Sequence, residues 1–273
     1  MLQRIVSIIV PTFNRLSRLR RCLDMIRQNV GLPTEIIVVD GASEDGTGEW
    51  LAQQPGLVLI REARREGAVR AFNKGFRKAT GDYVMWLNDD AYPLRGSVEA
   101  AVEMIERADL ADVGMVALYH RWHSPRNVLD RVEVGGISYE MCHVRGEPYA
   151  NFGLLRRSLL QTLGYADEGY YFFGFDPDLS LKVARVAGLK VIGCRAARVH
   201  HDEHHDDRKL ADLERGQEDN RRLFEKWGLP GPGAYPDPTP AYLRMLGERG
   251  LSYGHPLAVP QKSACPETSA AVN

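Results

Sequence analysis

Three groups of acidic residues and one run of histidines are the side chains best placed to do chemistry. Asp40 closes the apolar run Glu35–Asp40. Asn88, Asp89 and Asp90 follow the apolar run Tyr83–Leu87, and Asp176 and Asp178 flank Pro177 just ahead of Leu179. Carboxylates so placed can hold a hard cation, take a proton, or cap a turn or helix. His200, His201, His204 and His205 have i, i+4 spacings that could suit zinc. The string HHDEHHDD contains no H-E-x-x-H, which excludes zinc-protease chemistry, and most of the four read as solvated.

Regular elements must position these groups. Ile5–Val10, Glu35–Asp40, Val58–Arg61 and Tyr83–Leu87 read as buried strands. Helical periodicity is expected after Asn14, the residue placed to cap it (Leu16, Leu19, Leu23, Ile26), in Ala68–Ala79 and in Ser97–Ala108, with a short helix from Glu49 to Gln54. Strand and helix in short alternation predict an α/β fold with a mostly parallel central sheet flanked by helices. Ligands bind such sheets beyond the carboxyl ends of the strands, where Asp40 and Asn88–Asp90 stand. Further on, Val113–Tyr119 predicts a strand and 120–146 an antiparallel excursion. Leu154–Leu163 and Leu179–Ala187 predict helices, Lys190–Ile192 and Ala197–Val199 short strands, and Arg208–Trp227 a long polar helix. The prolines at 230, 232, 236, 238 and 240 set a boundary, giving a domain over 1–228 and a Pro-rich C-terminal arm over 229–273.

A net charge of -1 gives no global reason to expect nucleic acid as a partner. Cys22, Cys142, Cys194 and Cys265 form no C-x-x-C pair and read as reduced thiols. The apolar start, Met1–Val10, is short and ends at Pro11, so it reads as a first strand rather than a signal peptide. No stretch approaches a membrane span. Arg15, Arg18, Arg20 and Arg21 lie mostly off the apolar stripe of their helix and read as a solvated face, or as a peripheral contact with an anionic membrane. The expectation is a cytoplasmic protein, at most peripheral to the inner face of the membrane, with a homo-oligomer left open.

Six segments in order, VSIIVPTFNR, VVDGASEDGT, GAVRAFNKG, GDYVMWLNDD, FFGFDPDLSLKVARVAG and FEKWG, resemble the family 2 glycosyltransferases, inverting enzymes of the GT-A nucleotide-sugar-binding fold. The resemblance covers roughly residues 4–228. It implies transfer of a sugar from a nucleotide-diphosphate sugar donor to a glycan, glycolipid or small-molecule acceptor. It also implies Mn²⁺ or Mg²⁺ as cofactor, since a divalent ion offsets the charge of the departing diphosphate. Asp90 then corresponds to the metal ligand, with Asp89 the second choice, and Asn88 faces the ribose or a phosphate. Asp40 corresponds to the carboxylate that binds the base, Pro11, Thr12 and Phe13 to the loop lining base and ribose, and Arg70 to a donor-phosphate contact. Asp176 corresponds to the catalytic base, with Asp178 the alternative, and His200, then His201, to a metal-ligating histidine. Two departures stand out: Asn88 replaces the first acid of a D-x-D motif, and Phe175 replaces the acid that usually precedes the base.

Rival readings are weaker. A nucleotidyltransferase would carry a glycine-rich basic loop where PTFNRLSR stands, and a processive synthase would carry Q-x-x-R-W and membrane spans. The alternative kept is a catalytically inactive nucleotide-sugar-binding module of the same fold.

Overall fold

The computed structural model describes residues 4–121, 127–202, 213–231 and 237–251. Strands β1 (Val6–Thr12), β2 (Thr34–Asp40), β3 (Leu57–Arg61) and β4 (Tyr83–Trp86) run parallel in the order β3-β2-β1-β4. Val6 and Ile8–Val10 are fully buried, as a strand covered on both faces requires. The register pairs Thr12 with Asp40 and Asp40 with Arg61, so these strands end at one edge, where Asn88–Asp90 also emerge just beyond β4. The sheet continues through β10 (Gly153–Arg156), antiparallel to both β4 and β6 (Val113–His120). Strand β11 (Lys190–His201) lies parallel to β6, and β5 (Ala91–Pro93) forms the far edge. The polar region after β6 is the expected antiparallel excursion, a meander of β7 (Val128–Val134), β8 (Ile137–Val144) and β9 (Glu147–Tyr149).

Helix α1 (Leu16–Asn29) buries Leu19, Cys22, Leu23 and Ile26, apolar burial worth roughly 1.5–3 kcal/mol for each large aliphatic side chain. After the short α2 (Thr47–Leu51), helix α3 (Ala68–Lys78) packs on β1 and β2, and α4 (Ser97–Glu106) packs on β6, β10 and β11. Cys22, Cys142 and Cys194 are buried and unbridged, and Cys265 lies outside the described residues. Among the described residues no helix is long and apolar enough to cross a membrane.

Several local expectations are corrected. Leu154–Leu163 is not one helix: β10 takes Leu154 and Leu155 into the centre of the sheet, and only Arg157–Thr162 forms a helix, α5. A short apolar run carries too few turns for periodicity to separate the two states. The two short strands expected over 190–199 are one strand, β11, whose register shifts between Cys194 and Arg198. Helix α6 (Phe175–Leu181) begins four residues early, on Gly174 at φ 82°, and passes into a π turn over Lys182–Val186. Asn14 does not cap α1. It sits at φ 51°, its side chain accepts the Glu44 N–H at 2.8 Å, and Arg15 takes the capping position.

The long polar helix α7 (Leu213–Trp227) straps the loop that precedes α6. Asp219 is buried, and its carboxylate accepts the N–H groups of Tyr171, Phe172 and Phe173 at 2.9, 2.8 and 2.8 Å. Within the Pro-rich segment, Thr239–Glu248 forms α8 with Pro240 in its first turn, where a missing N–H costs nothing. Tyr242 of α8 is buried and its hydroxyl accepts the Gly193 N–H at 2.7 Å, while Arg249 pairs with Asp112 at 2.7 and 2.8 Å.

Asp219→Asn keeps the shape of the strap but turns an NH₂ toward backbone donors. Charge-assisted hydrogen bonds of this kind are worth about 1.5–3 kcal/mol, and an unmatched buried donor adds to the loss. The variant should lose about 2–3 kcal/mol in urea unfolding at unchanged m-value. A loss below about 0.5 kcal/mol would mean that the strap is incidental.

Candidate active site

A cavity of about 260 Å³ opens at the carboxyl edge of the parallel strands. Pro11, Thr12 and Phe13 form one wall at the end of β1. Gly67, Ala68, Ala71 and Phe72 come from the start of α3, and Asn88, Asp89 and Asp90 from the end of β4. Phe172–Pro177 bring the start of α6, while His201, Tyr149 and Asn151 close the remaining side. Gly67 has φ 102°, and a Cβ there would lie 2.8 Å from the Tyr171 ring, so this close approach of α3 to the 171–173 loop requires glycine.

Asp89 and Asp90 are both buried. Asp89 accepts from Thr12 Oγ1 at 2.8 Å and from Arg15 Nη1 at 3.1 Å, and the same Nη1 donates to Asp90 Oδ2 at 2.8 Å. Asp90 Oδ1 faces His201 Nε2 at 3.4 Å, near enough for charge attraction but without hydrogen-bond geometry. Burial alone would raise the Asp90 carboxyl, but His201 and Arg15 outweigh it and hold the group well below the usual carboxylate range. Asn88 Nδ2 lies 3.5 Å from His201 Nε2. Arg15 therefore does not belong to a solvated face. Of its neighbours, Arg21 reaches Tyr92 Oη at 2.9 Å and Arg20 lies over the Trp50 ring at 5.0 Å.

His200 and His201 separate as adjacent strand residues must, onto opposite faces. His200 Nε2 pairs with Asp202 at 2.8 Å and its ring stacks on Tyr92, away from the cavity. His201 lines the cavity, with Phe152 edge-on at 5.3 Å. His204 and His205 lie outside the described residues.

Asp176 and Asp178 also divide. Asp176 lines the cavity in the first turn of α6. The residue is half-buried, and desolvation of its carboxyl by the surrounding protein pushes it up to about 7. Asp178 is fully buried behind the helix, held by Trp227 Nε1 at 2.8 Å, Tyr170 Oη at 3.2 Å and Lys226 Nζ at 2.6 Å.

Asp40 does not line the cavity, although Gly41 does. Its Oδ1 accepts the Ser43 N–H at 3.0 Å, closing an Asx turn, and its buried Oδ2 faces Arg61 Nε at 3.5 Å. Arg70 lies away from the cavity, near Glu168 at 3.9 Å and the Glu66 carbonyl at 3.5 Å. Arg65 lines it instead, beside Arg15, and stands 4.8 Å from the centre of the Phe13 ring and 6.0 Å from that of Tyr171. Arg15, Arg65, Tyr149 and Asn220 are cavity residues that the sequence reading missed as site residues. Only Arg15, next to the PTFN run, carried a signal, its position at the very start of the helix.

Two classes of ligand suit this arrangement. The Asp90–His201 pair offers an anionic oxygen and an imidazole nitrogen with a gap between them. The separation of 3.4 Å is close to the roughly 3 Å expected for neighbouring ligands on an ion with bonds of about 2.1 Å. Asp90 Oδ1 is moreover buried without a hydrogen-bond partner. These donors fit Mn²⁺, which accepts oxygen together with imidazole. Asp176, raised toward neutrality, fits a group that exchanges a proton at physiological pH.

The chain is similar over most of its length to known proteins. An uncharacterized glycosyltransferase of Bacillus subtilis, YwdF, is 28% identical over 228 residues, covering 82% of this chain and 84% of its own. Among solved structures, the mannosyltransferase PcManGT of Pyrobaculum calidifontis, in complex with GDP-Man and Mn²⁺, superposes with a TM-score of 0.61 at 22% identity, covering 90% of this chain and 70% of its own. Glucosyl-3-phosphoglycerate synthase of Mycobacterium tuberculosis, with Mn²⁺, UDP and phosphoglyceric acid, superposes at 0.59 and 18% identity, covering 84% and 81%. These likenesses establish the GT-A fold. The family model described as Glycosyl transferase family 2 matches residues 7–172, more than half of the chain. With that match, the chain belongs to glycosyl transferase family 2 and is a glycosyltransferase.

Proposed function

We propose that this glycosyltransferase is an inverting, metal-dependent, non-processive enzyme. It moves one sugar from a nucleoside-diphosphate donor to a hydroxyl of a glycan, glycolipid or small molecule. The observation that carries this reading is the presence in one cavity of the Asp90–His201 pair and of Asp176, a carboxyl raised to about 7. The two structural neighbours named above were each solved with Mn²⁺ and a nucleotide, which supports the same reading.

In this mechanism Pro11–Phe13 and Gly41, beside Asp40, receive the base and ribose, Asn88 faces a phosphate, and Asp89 borders the donor from its place between Thr12 and Arg15. The phosphate-side arginine is Arg65 rather than Arg70, because Arg65 lines the cavity, while Arg15, which also lines it, is held by Asp89 and Asp90. Asp90 and His201 would hold the divalent ion, which when bound would offset the charge on the departing diphosphate. Asp176 takes the proton of the acceptor hydroxyl. The acceptor oxygen then bonds to the anomeric carbon from the face opposite the diphosphate, the bond from that carbon to the diphosphate oxygen breaks, and the configuration inverts. Residues 1–228 carry this chemistry, with 229–273 as an extension.

A thermal-shift panel of UDP-, dTDP- and GDP-sugars with and without Mn²⁺ tests the reading. One nucleotide class should raise the melting temperature, and only with the ion. No shift under any condition would refute the donor site, and binding without turnover would reduce the chain to a binding module.

Asp176→Asn should cut transfer by about 10²–10⁴-fold while leaving the donor-induced shift in place. Lost donor binding would remove Asp176 from the role of base. In the wild type, kcat/KM should rise with pH along a limb near 7, as Asp176 gives up its proton. The same group links stability to pH. The folded state keeps its proton up to about 7 while the unfolded chain releases it near 3.8, so its contribution is fully present at low pH and is lost as pH rises through that window. Asp176→Asn should therefore melt a few degrees higher than wild type at pH 8 and show little difference at pH 4.

His201→Ala should weaken the Mn²⁺-dependent donor shift, whereas His200→Ala should leave it unchanged. The reverse ranking would return the metal to His200.

A further inference from the structure

The acidic pair that β4 delivers to the cavity already has a cation between its two carboxylates. Arg15 is buried, with 7% of its surface exposed, and its Nη1 bridges Asp89 Oδ1 at 3.1 Å and Asp90 Oδ2 at 2.8 Å. Thr12 Oγ1 takes the other oxygen of Asp89, and His201 stands at the other oxygen of Asp90. A guanidinium keeps its charge at every accessible pH and cannot serve as a metal ligand. An ion approaching Asp90 therefore meets a pair whose combined charge is about one negative unit rather than two, with one Asp90 oxygen already engaged.

The ligand set among the described residues is also short. Among the described residues no group of three or more His, Cys, Asp or Glu side chains is placed to hold a metal. Asp90 and His201 supply two donors, whereas Mg²⁺ demands near-ideal octahedral geometry, with about six ligands in all. The diphosphate of a donor would bring both the missing oxygens and the missing negative charge.

We propose that Arg15 is a built-in counter-cation. It holds Asp89 and Asp90 in place before a donor binds, and it keeps the affinity for a free divalent ion low, so that ion and nucleotide enter together. This inference rests on the metal-dependent reading above. It makes Arg15 a positioning residue whose effect is read on ion binding rather than on turnover.

The test is Mn²⁺ binding to the full chain, followed by electron paramagnetic resonance of free aqueous Mn²⁺, with and without UDP or whichever nucleoside diphosphate stabilises the protein. The complex formed by nucleotide alone is subtracted. Wild type should bind Mn²⁺ at least tenfold more weakly without nucleotide than with it. Arg15→Gln should bind nucleotide-free Mn²⁺ at least tenfold more tightly than wild type, while Arg15→Lys, which keeps the charge, should behave as wild type. A folded Arg15→Gln whose nucleotide-free affinity stays within twofold of wild type overturns the inference and leaves the metal reading standing. If Arg15→Gln does not fold, Arg15→Met, which also removes the charge, is read against the same two limits, and wild-type Mn²⁺ affinities within twofold of each other with and without nucleotide overturn the inference on their own. No Mn²⁺ bound by any form under any condition overturns the metal reading, and the inference with it.

Discussion

Two adjacent carboxylates cannot be buried at the end of a strand unless other elements bring them partners, because an unpaired buried charge costs several kcal/mol. Asp89 and Asp90 impose that condition on the whole site. Thr12 answers from the end of β1, Arg15 from the start of α1, and His201 from the end of β11. These partners come from the parallel half of the sheet, from the first helix and from the far half. Meeting the charge of β4 therefore fixes where three separate parts of the chain must stop. Thr12 is paired in the ladder with Asp40, so the same condition sets the level of the neighbouring strand end.

The opposite wall is governed by a different economy of charge. Asp176 and Asp178 lie two residues apart on α6, yet Asp178 is tied by Trp227, Lys226 and Tyr170, while burial dominates the environment of Asp176. Helix α7 makes this division. From one end it draws Asp178 into the interior through Trp227 and Lys226, and from its middle it fixes the 171–173 loop through Asp219. Asp176 is left in the first turn, facing the cavity, with Gly174 providing the left-handed residue that starts the helix.

This division explains what was legible in the sequence. The strand ends were readable because β1, β2 and β4 are apolar runs closed by polar residues, and the acids at 89, 90 and 176 line the cavity as their positions suggested. His200 and His201 were not separable. Their facing depends on strand parity, and the register shift between Cys194 and Arg198 resets that parity with no mark in the local pattern. Arg15 looked like one more arginine on a basic helix. Only the fold shows that the helix starts against the acidic pair, where a side chain in the capping position reaches inward. Arg65 and Asp219 were illegible for the same reason: their partners Phe13, Tyr171 and the 171–173 amides are distant in sequence.

The two carboxyl stations of the cavity are pushed in opposite directions. At Asp90 burial is outweighed by His201 and Arg15, so the group stays ionised; at Asp176 burial prevails and the carboxyl rises to about 7. Carboxyls whose environments drive them apart in this way are suited to different tasks. A permanently ionised group serves to hold a cation, and a group poised near neutrality serves to pass a proton. In the proposed mechanism the two tasks cannot be exchanged. Asp176 has neither the histidine nor the arginine that keeps Asp90 charged, and Asp90 could not take up a proton at neutral pH without first losing both. The polarity of the proposed mechanism, with donor and ion on the sheet side and acceptor on the α6 side, thus follows from which carboxyl Arg15 reaches and which it does not.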